Sequence, residues 1–279
     1  PESSRTADLE LTLQDKDSSF CLGRIFTSEC SSTADLGESK LESGKAICCT
    51  DTSSKLPTII NIPDSLYVAL DCEMVGVGPK GKHSVLARCS IVDYNGKLVY
   101  DKYIRPTETI TDYRTPWSGI RPVHMKTAVP IQQALKDIKE CLAHKVIIGH
   151  AVYHDFKVLG VLPDHHFVRD TTQCQQLVDM AGLHGKGNGL KKLSEALLDR
   201  KIQVGSSGHC SIEDARATLD LFKLVRSSWE PVLYSKWSKK NADIASKIAT
   251  FVETSIRHQD LNSTEDFLND KFWPSHILE

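Results

Sequence analysis

The stretch Ser65–Met74 has the sequence SLYVALDCEM, a largely apolar run that ends with two acids, Asp71 and Glu73. Such a run is typical of a strand buried at the centre of a sheet. Because side chains two residues apart on a strand point to the same face, the two carboxylates are predicted to converge. Burying two like charges is costly unless a cation neutralises them, and clustered carboxylate oxygens suit Mg²⁺ or Mn²⁺. The alternative is an exposed strand end with two solvated acids.

The residues that follow predict an α/β fold. A hairpin is predicted over 85–104, because two strand-like runs flank Asn95-Gly96, a strong two-residue turn signal. Residues 105–123 hold three prolines and predict an ordered loop. Further strands are predicted at 146–150 and 167–172, and helices at 131–145, 154–160, 172–182, 189–200, 211–230 and 242–257. Ser211 is the predicted N-cap of its helix. Three antiparallel-type strands followed by alternating helices and strands indicate a mixed sheet with helices on both faces.

Composition divides the chain into three segments. Residues 1–62 contain eleven serines without sustained periodicity and predict a disordered or weakly ordered arm. Residues 63–230 carry the α/β pattern, and residues 231–279 predict a C-terminal helix and an acidic tail. The net charges of the three segments are −4, +3 and −1. If four acids of the middle segment hold metal ions, its remaining charge of +7 suits a polyanionic ligand.

The chain has 279 residues, 40% of them hydrophobic, which allows one large domain with a sizeable core. No stretch reaches the roughly 18 apolar residues of a membrane span, and no signal segment opens the chain. The start at Pro1 rather than Met leaves open whether the chain is a fragment. Nine scattered cysteines without a C-x-x-C pair argue against a zinc–thiolate site and a disulfide framework. They predict reduced thiols in a cytosolic or nuclear protein.

Three further residues are candidates for chemistry. Asp155 follows the predicted strand over 146–150, Asp214 lies in the first turn of the helix over 211–230, and His209 precedes that helix. Each has an ordinary explanation, since Asp155 could cap a helix and a lone His before a helix is common. Together, four acids and a His, a residue type with a reference pKa of about 6.5, meet the needs of hydrolysis with two divalent ions.

Three segments resemble the exonuclease motifs of the DEDDh superfamily: ALDCEMVG (69–76), GHAVYHDF (149–156) and HCSIEDA (209–215). Three more resemble its interferon-stimulated-gene exonuclease branch: LARCSIVDYNGKLVYDKYIRP (86–106), DYRTPWSGIRPVHM (112–125) and KIQVGSSGH (201–209). The resemblance covers about residues 64–230. It implies a ribonuclease H-like fold, two Mg²⁺ or Mn²⁺ ions, and 3′-to-5′ hydrolysis of nucleic acid to nucleoside monophosphates.

The resemblance also implies roles for individual residues. The implied metal ligands are Asp71, Glu73, Asp155 and Asp214, and the implied general base is His209. The implied substrate contacts are Met74, Arg114, Trp117, Leu86, Ala87 and Arg88. Met74 could instead be a core residue, Arg114 a solvated loop residue, and Trp117 an anchor of its loop.

The chain departs from the branch at two positions. Pro116 stands where close relatives have a basic residue, which would weaken a phosphate contact and stiffen the loop. His154 stands where some relatives have Asn, and it is not expected to be a fifth ligand because it should point away from Asp155.

Other classes of protein remain as alternatives. A nuclease fold without activity could bind nucleic acid or act as an adaptor, but all five motif residues are intact. A zinc hydrolase is disfavoured because the H-E-x-x-H spacing is absent. The resemblance implies single-stranded 3′ ends of RNA or DNA as partners and residence in the nucleus or nucleolus. We expect a monomer with no membrane partner. The resemblance leaves two cellular roles open, DNA degradation in stress or apoptosis and rRNA processing. The choice between DNA and RNA depends on contacts to the 2′-hydroxyl, which the sequence does not reveal.

Overall fold

The computed structural model describes residues 61–205 and 208–268, with side chains as far as Leu261. Most of the predicted arm and the end of the acidic tail therefore lie outside the described residues. The strands are β1 (Tyr67–Val77), β2 (His83–Asp93), β3 (Leu98–Arg105), β4 (Ile110–Asp112), β5 (Val129–Pro130), β6 (Val146–Gly149) and β7 (Val168–Asp170). The helices are α1 (Thr115–Ser118), α2 (Ile131–Leu142), α3 (Tyr153–Leu159), α4 (Gln175–Met180), α5 (Leu190–Leu198), α6 (Ser211–Ser238) and α7 (Ile244–Leu268).

The described strands form one mixed sheet in the order β5-β3-β2-β1-β6-β7, with β4 paired to β1. Strand β2 is antiparallel to both of its neighbours, β1 and β3, whereas the pairs β1–β6, β6–β7 and β3–β5 are parallel. The central strand β1 is buried along nearly its whole length, as its apolar sequence predicts. The predicted α/β class and the mixed sheet are confirmed.

Apolar side chains cover both faces of the sheet. Residues of α4, α5, α6 and α7 form the core on one face, which includes Tyr67 and Phe222. Residues of α2 and α3 form the core on the other face, which includes Leu70 and Ile138. Side chains therefore alternate between the two cores along β1, and this alternation decides which face receives the acids.

The long helix α6 differs from its prediction at both ends. Ser211 is not the N-cap: the N-cap residue is Cys210, and the Ser211 hydroxyl hydrogen-bonds that of Ser90 at 2.6 Å. The predicted end at 230 is also wrong, because α6 continues through Pro231 to Ser238. Proline removes one helix hydrogen bond. Packing of Leu233, Tyr234 and Trp237 against the core accounts for the continuation.

Two smaller features also depart from the predictions or complete them. The β2–β3 turn is longer than two residues, because the Asp93 amide donates to the Lys97 carbonyl at 2.9 Å and Gly96 takes the left-handed φ of 77°. The stretch 105–123, predicted as a loop, contains β4 and the single turn α1. No helix in the described part of the chain has the length and apolar character needed to cross a bilayer.

Candidate active site

The first two acids of the site lie on β1, next to the position where the pairing between β1 and β2 changes register. Asp71 pairs with Ser90 and Glu73 with Arg88, whereas Met74 pairs with Leu86, so a bulge follows Glu73. Bulges of this kind often redirect side chains beside active sites. Because Tyr67 and Ala69 face the core beneath α6, Asp71 and Glu73 face the same way.

The third acid, Asp214, comes from the first turn of α6. It is buried at 2% exposure, although a carboxylate in a first turn is usually solvated. The hydrogen bond between Ser90 and Ser211 ties the start of α6 to β2 and thereby places Asp214 opposite β1. One carboxylate oxygen from each of Asp71, Glu73 and Asp214 lies within 4.8 Å of the other two.

The fourth acid, Asp155, lies in the first turn of α3 and is also buried. Its Oδ1 accepts a hydrogen bond of 2.9 Å from the Cys72 amide, between the two acids of β1. The N-cap of α3 is Val152, so Asp155 does not cap its own helix. The structure therefore brings all four predicted acids together at the middle of β1, which continues beyond Glu73 to Val77.

The carboxylate oxygens of this cluster fit a divalent cation. Glu73 Oε1 and Asp214 Oδ1 are buried and have no hydrogen-bond partner among the described residues. Leaving such atoms without a partner is costly, and a hard cation with oxygen ligands removes that cost. Asp71, Glu73 and Asp214 could hold a cation directly, and Asp155 lies beside them through Cys72.

Burial raises the pKa of every acid in the cluster. The pKa of Asp71 lies well above its usual range because of burial and the neighbouring Asp155 carboxylate. Burial and the Asp214 carboxylate raise the pKa of Glu73 to about 9. Burial raises the pKa of Asp155 to about 7 and that of Asp214 to about 6, each limited by a hydrogen bond to the carboxylate. The cluster holds negative charge poorly until a cation arrives.

His209 stands at the mouth of this cluster. Its Nδ1 lies 3.8 Å from Asp214 Oδ2, and its amide donates to the Trp117 carbonyl at 2.7 Å. Burial and the nearby Lys191 lower the pKa of His209, so the neutral ring that accepts a proton prevails at neutral pH. A close backbone approach fixes its position: a Cβ on Gly208 would lie 2.1 Å from the Gly119 nitrogen.

A cleft of about 630 Å³ is lined by Met74 and His154, which adjoin Glu73 and Asp155 in the chain, and by none of the four acids themselves. Arg114 also lines the cleft, and Leu86 borders it although its side chain is fully buried. The Arg114 guanidinium donates to Ser84 Oγ at 2.6 Å and to the Gly81 carbonyl at 2.9 Å, both uncharged acceptors. Of the two departures from the branch, His154 lines the cleft, whereas Pro116 is not part of its lining and occupies the first turn of α1, where proline fits well.

The remaining predicted substrate contacts have different surroundings. Trp117 is 66% exposed, so its ring is open to solvent while its carbonyl holds His209. Ala87 is fully buried against Val75 and Ile120, so substrate cannot reach its side chain. The Arg88 guanidinium is bound to Asp101 at 2.8 Å and lies over the Tyr103 ring, which leaves it little freedom to contact a substrate.

Sequence reasoning missed several residues of the site. Gln203 donates from Nε2 to Asp214 Oδ2 at 2.8 Å, and Lys191 donates to the Gln203 carbonyl at 3.0 Å. Lys82 and Lys157 line the cleft. Only Gly208 carried a usable signal, since a glycine just before a candidate His suggests a close backbone approach.

The fold and the site together define a ribonuclease H-like protein with a cluster of buried carboxylates at the centre of its sheet. The sequence model described as Exonuclease matches residues 68–222, which is more than half of the chain. The chain therefore belongs to the exonuclease family, and the predicted branch of that family is also confirmed by its relatives.

The relatives include human apoptosis-enhancing nuclease, which is 43% identical over 215 residues. That match covers 76% of this chain and 62% of the relative. Human interferon-stimulated 20 kDa exonuclease-like 2 is 48% identical, with 65% of this chain and 50% of the relative covered. RNA exonuclease 4 of Xenopus laevis is 42% identical, with 68% and 45% covered. The chain thus spans about half to two thirds of these curated relatives.

Among solved structures, the Pan2 catalytic unit of Neurospora crassa, with its protease and nuclease domain, is similar with a TM-score of 0.50 and 28% identity. The similarity covers 65% of this chain and 31% of the Pan2 chain. The pseudoubiquitin-hydrolase–RNase module of Saccharomyces cerevisiae PAN2 has the same TM-score of 0.50 at 25% identity and covers 75% of this chain and 36% of that one.

Proposed function

We propose that this protein is a DEDDh-type exonuclease that shortens single-stranded RNA or DNA from the 3′ end and releases nucleoside monophosphates. The observation that carries the proposal is the group of three carboxylates within 4.8 Å, two of which have a buried oxygen that finds no hydrogen-bond partner in the described part of the chain. Such a group is unstable by itself and suits two-metal phosphodiester hydrolysis. The inactive-module alternative gains no support from the site, because all five predicted residues lie together.

In this proposal Asp71, Glu73, Asp155 and Asp214 hold two divalent ions, Mg²⁺ or Mn²⁺. When bound, the ions supply the positive charge that polarises the scissile phosphate and its attacking water. His209 accepts the proton of that water, because its ring is held at the mouth of the cluster and its pKa is lowered. The hydrogen bond from the His209 amide to the Trp117 carbonyl holds the backbone from which the ring extends.

The charge around the cleft supports a nucleic-acid substrate. Lys82, Lys157 and the Arg114 guanidinium line the cleft, and no ion pair joins them to an acid within the described ranges. Unpaired cations beside a metal site attract phosphates. Met74 offers the terminal nucleotide an apolar surface, whereas Leu86 is fully buried like Ala87. Trp117 exposes a ring on which a base can stack.

The relatives support RNA as one substrate class, since one of them is named RNA exonuclease 4. The name apoptosis-enhancing nuclease leaves a role in DNA degradation open as well. We propose that the chain acts as a monomer in the nucleus or nucleolus, on free 3′ ends and away from membranes. In this proposal the arm and the exonuclease domain divide at about residue 62, whereas the sequence boundary near 230 falls inside α6 and the residues beyond it pack on the same core.

A matched degradation assay tests the proposal. RNA and DNA of one sequence, labelled at the 5′ end, are incubated with Mn²⁺ or Mg²⁺ and sampled over time. We expect a ladder that shortens from the 3′ end. Asp71→Asn should slow turnover at least about 1,000-fold, because metal ligation contributes several kcal/mol to the transition state. Asp137→Asn, the same change on exposed α2, should leave turnover unchanged.

Two further variants separate chemistry from binding. His209→Ala should slow turnover by about 10²–10⁴-fold while sparing metal binding. Arg114→Ala should raise KM more than it lowers kcat, whereas Arg105→Ala, which loses a similar backbone contact to Met125 outside the cleft, should change neither. Absence of metal-dependent shortening of either strand would overturn the proposal in favour of a binding module.

A further inference from the structure

Gln203 is bound directly to one of the candidate metal ligands. Its Nε2 donates to Asp214 Oδ2 at 2.8 Å, and no other side chain in the described part of the protein donates a hydrogen bond to that carboxylate. The second oxygen, Oδ1, is buried and has no hydrogen-bond partner among the same residues. The amide therefore occupies one oxygen of Asp214 and leaves the other available to a cation.

The backbone places Gln203 for this contact at some cost. Its φ is 54°, in the left-handed region that residues with a side chain rarely adopt. The preceding Ile202 is fully buried in the core, and Lys191 donates to the Gln203 carbonyl at 3.0 Å. Such a conformation persists only where neighbouring contacts determine it, and it often lies at functional sites.

The same carboxylate oxygen also faces the candidate base. His209 Nδ1 lies 3.8 Å from Asp214 Oδ2, on the segment that begins at Gln203. A neutral amide is suited to this position, because it holds the carboxylate without neutralising its charge. A lysine would compete with the cation, and a carboxylate would add charge to a cluster that already holds four acids.

We propose that Gln203 is a positioning residue for the metal site, which fixes the Asp214 carboxylate so that Oδ1 is presented to the ion. The proposal rests on the proposed function, since it needs the four acids to hold divalent metal. Partners that orient a metal ligand typically contribute about 10–100-fold to metal affinity or activity. We expect the loss of the Gln203 amide to raise the Kd for Mn²⁺ by that factor.

The test measures Mn²⁺ binding by calorimetry on chelator-treated protein, with activity recorded as a function of Mn²⁺ concentration. Gln203→Met keeps the length of the side chain but removes the donor. Gln175→Met is the matched control, because Gln175 donates to Asp179 at 2.9 Å in the same way on exposed α4. We expect Gln203→Met to bind Mn²⁺ about 10–100-fold more weakly and to regain most of its activity at high Mn²⁺. Gln175→Met should match the unchanged protein.

A second variant guards against misfolding. Gln203→Gly removes the amide and also relieves the left-handed backbone, so its melting temperature in chelator should not fall. If it folds and binds Mn²⁺ as weakly as Gln203→Met, the amide is responsible. Affinities of both variants within twofold of the unchanged protein would overturn the positioning role alone. Absence of Mn²⁺ binding by the unchanged protein would overturn both this role and the proposed function.

Discussion

Helix α6 carries two buried acids, Asp214 in its first turn and Glu230 further along, and the two have opposite surroundings. Glu230 accepts two hydrogen bonds from the Arg169 guanidinium, at 2.8 and 2.9 Å, and one from the Tyr67 hydroxyl at 2.8 Å. Asp214 lies among other carboxylates and has one neutral donor, Gln203. Both residues are under 10% exposed, so burial alone does not distinguish them.

The difference separates a structural site from a functional one. At Glu230 a buried cation neutralises the charge, so the site is complete without a ligand. At Asp214 burial, with a smaller contribution from the Glu213 carboxylate, raises the pKa to about 6, so the site is complete only with a cation. Proteins accept such unfavourable sites where function requires them.

The largest expected effect is at Glu230, the acid whose charge a buried cation neutralises. Glu230→Ala leaves the fully buried Arg169 charge without its carboxylate, and we expect a loss of about 3–5 kcal/mol in the free energy of unfolding. Urea denaturation measures it. Glu195→Ala on the exposed face of α5 should cost less than about 0.5 kcal/mol. A loss below about 1 kcal/mol at Glu230 would show that the pair is not structural.

At Asp214, the acid without a neutralising cation, we expect a change of opposite sign in the free energy of unfolding. Asp214→Asn removes a carboxylate whose raised pKa corresponds to a free-energy cost of about 3 kcal/mol for carrying its charge, mainly because it is buried. The metal-free protein should therefore gain about 1–3 kcal/mol at pH 8 while turnover is lost. Glu230→Gln, the same change on the same helix, should destabilise it. Equal signs for the two variants would remove the distinction between the sites.

The pH dependence of the free energy of unfolding should report the same cost of charging the buried acids. Acids whose pKa is raised on folding stabilise the fold below the pKa of the unfolded chain, and that stability is lost as pH rises through the folded values. For Asp214, Asp155 and Glu73 these are about 6, 7 and 9. We expect Mn²⁺ to raise the melting temperature more at pH 8 than at pH 5. An equal rise at both values would contradict the cluster as the metal site.

The smallest effect is expected at the hydroxyl that completes the structural pair. Tyr67→Phe removes one of three hydrogen bonds to Glu230, and we expect a loss of about 0.5–1.5 kcal/mol with unchanged turnover. Tyr100→Phe is the control, because the Tyr100 hydroxyl is buried without a partner among the described residues. It should be neutral or stabilising. A larger loss at Tyr100 than at Tyr67 would contradict this assignment.

Much of the fold and of the acid cluster could be predicted from short-range patterns. The apolar run before Asp71 predicted the central strand, and a two-residue spacing placed Asp71 and Glu73 on one face. The alternation of later elements predicted the mixed sheet. Asp155 and Asp214 required the motifs as well, since each had an ordinary role at a helix start.

Other features could not be predicted because their causes lie far apart in the sequence. The continuation of α6 through Pro231 depends on packing against the core, which local propensity does not contain. The burial of Ala87 and the capture of Arg88 by Asp101 follow from the bulge in β2 and from the register with β3. The Gln203 contact depends on one left-handed backbone conformation.

The sequence by itself determined that acids are available for the site and that Asp71 and Glu73 share one face of β1, because strand periodicity is a local property. Tertiary structure alone decided that Asp214 meets like charges whereas Glu230 meets Arg169. Both acids occupy one helix with ordinary local sequence, and the pairing of charges depends on which distant strands that helix covers. The free energy of a buried charge is set by its neighbours in space.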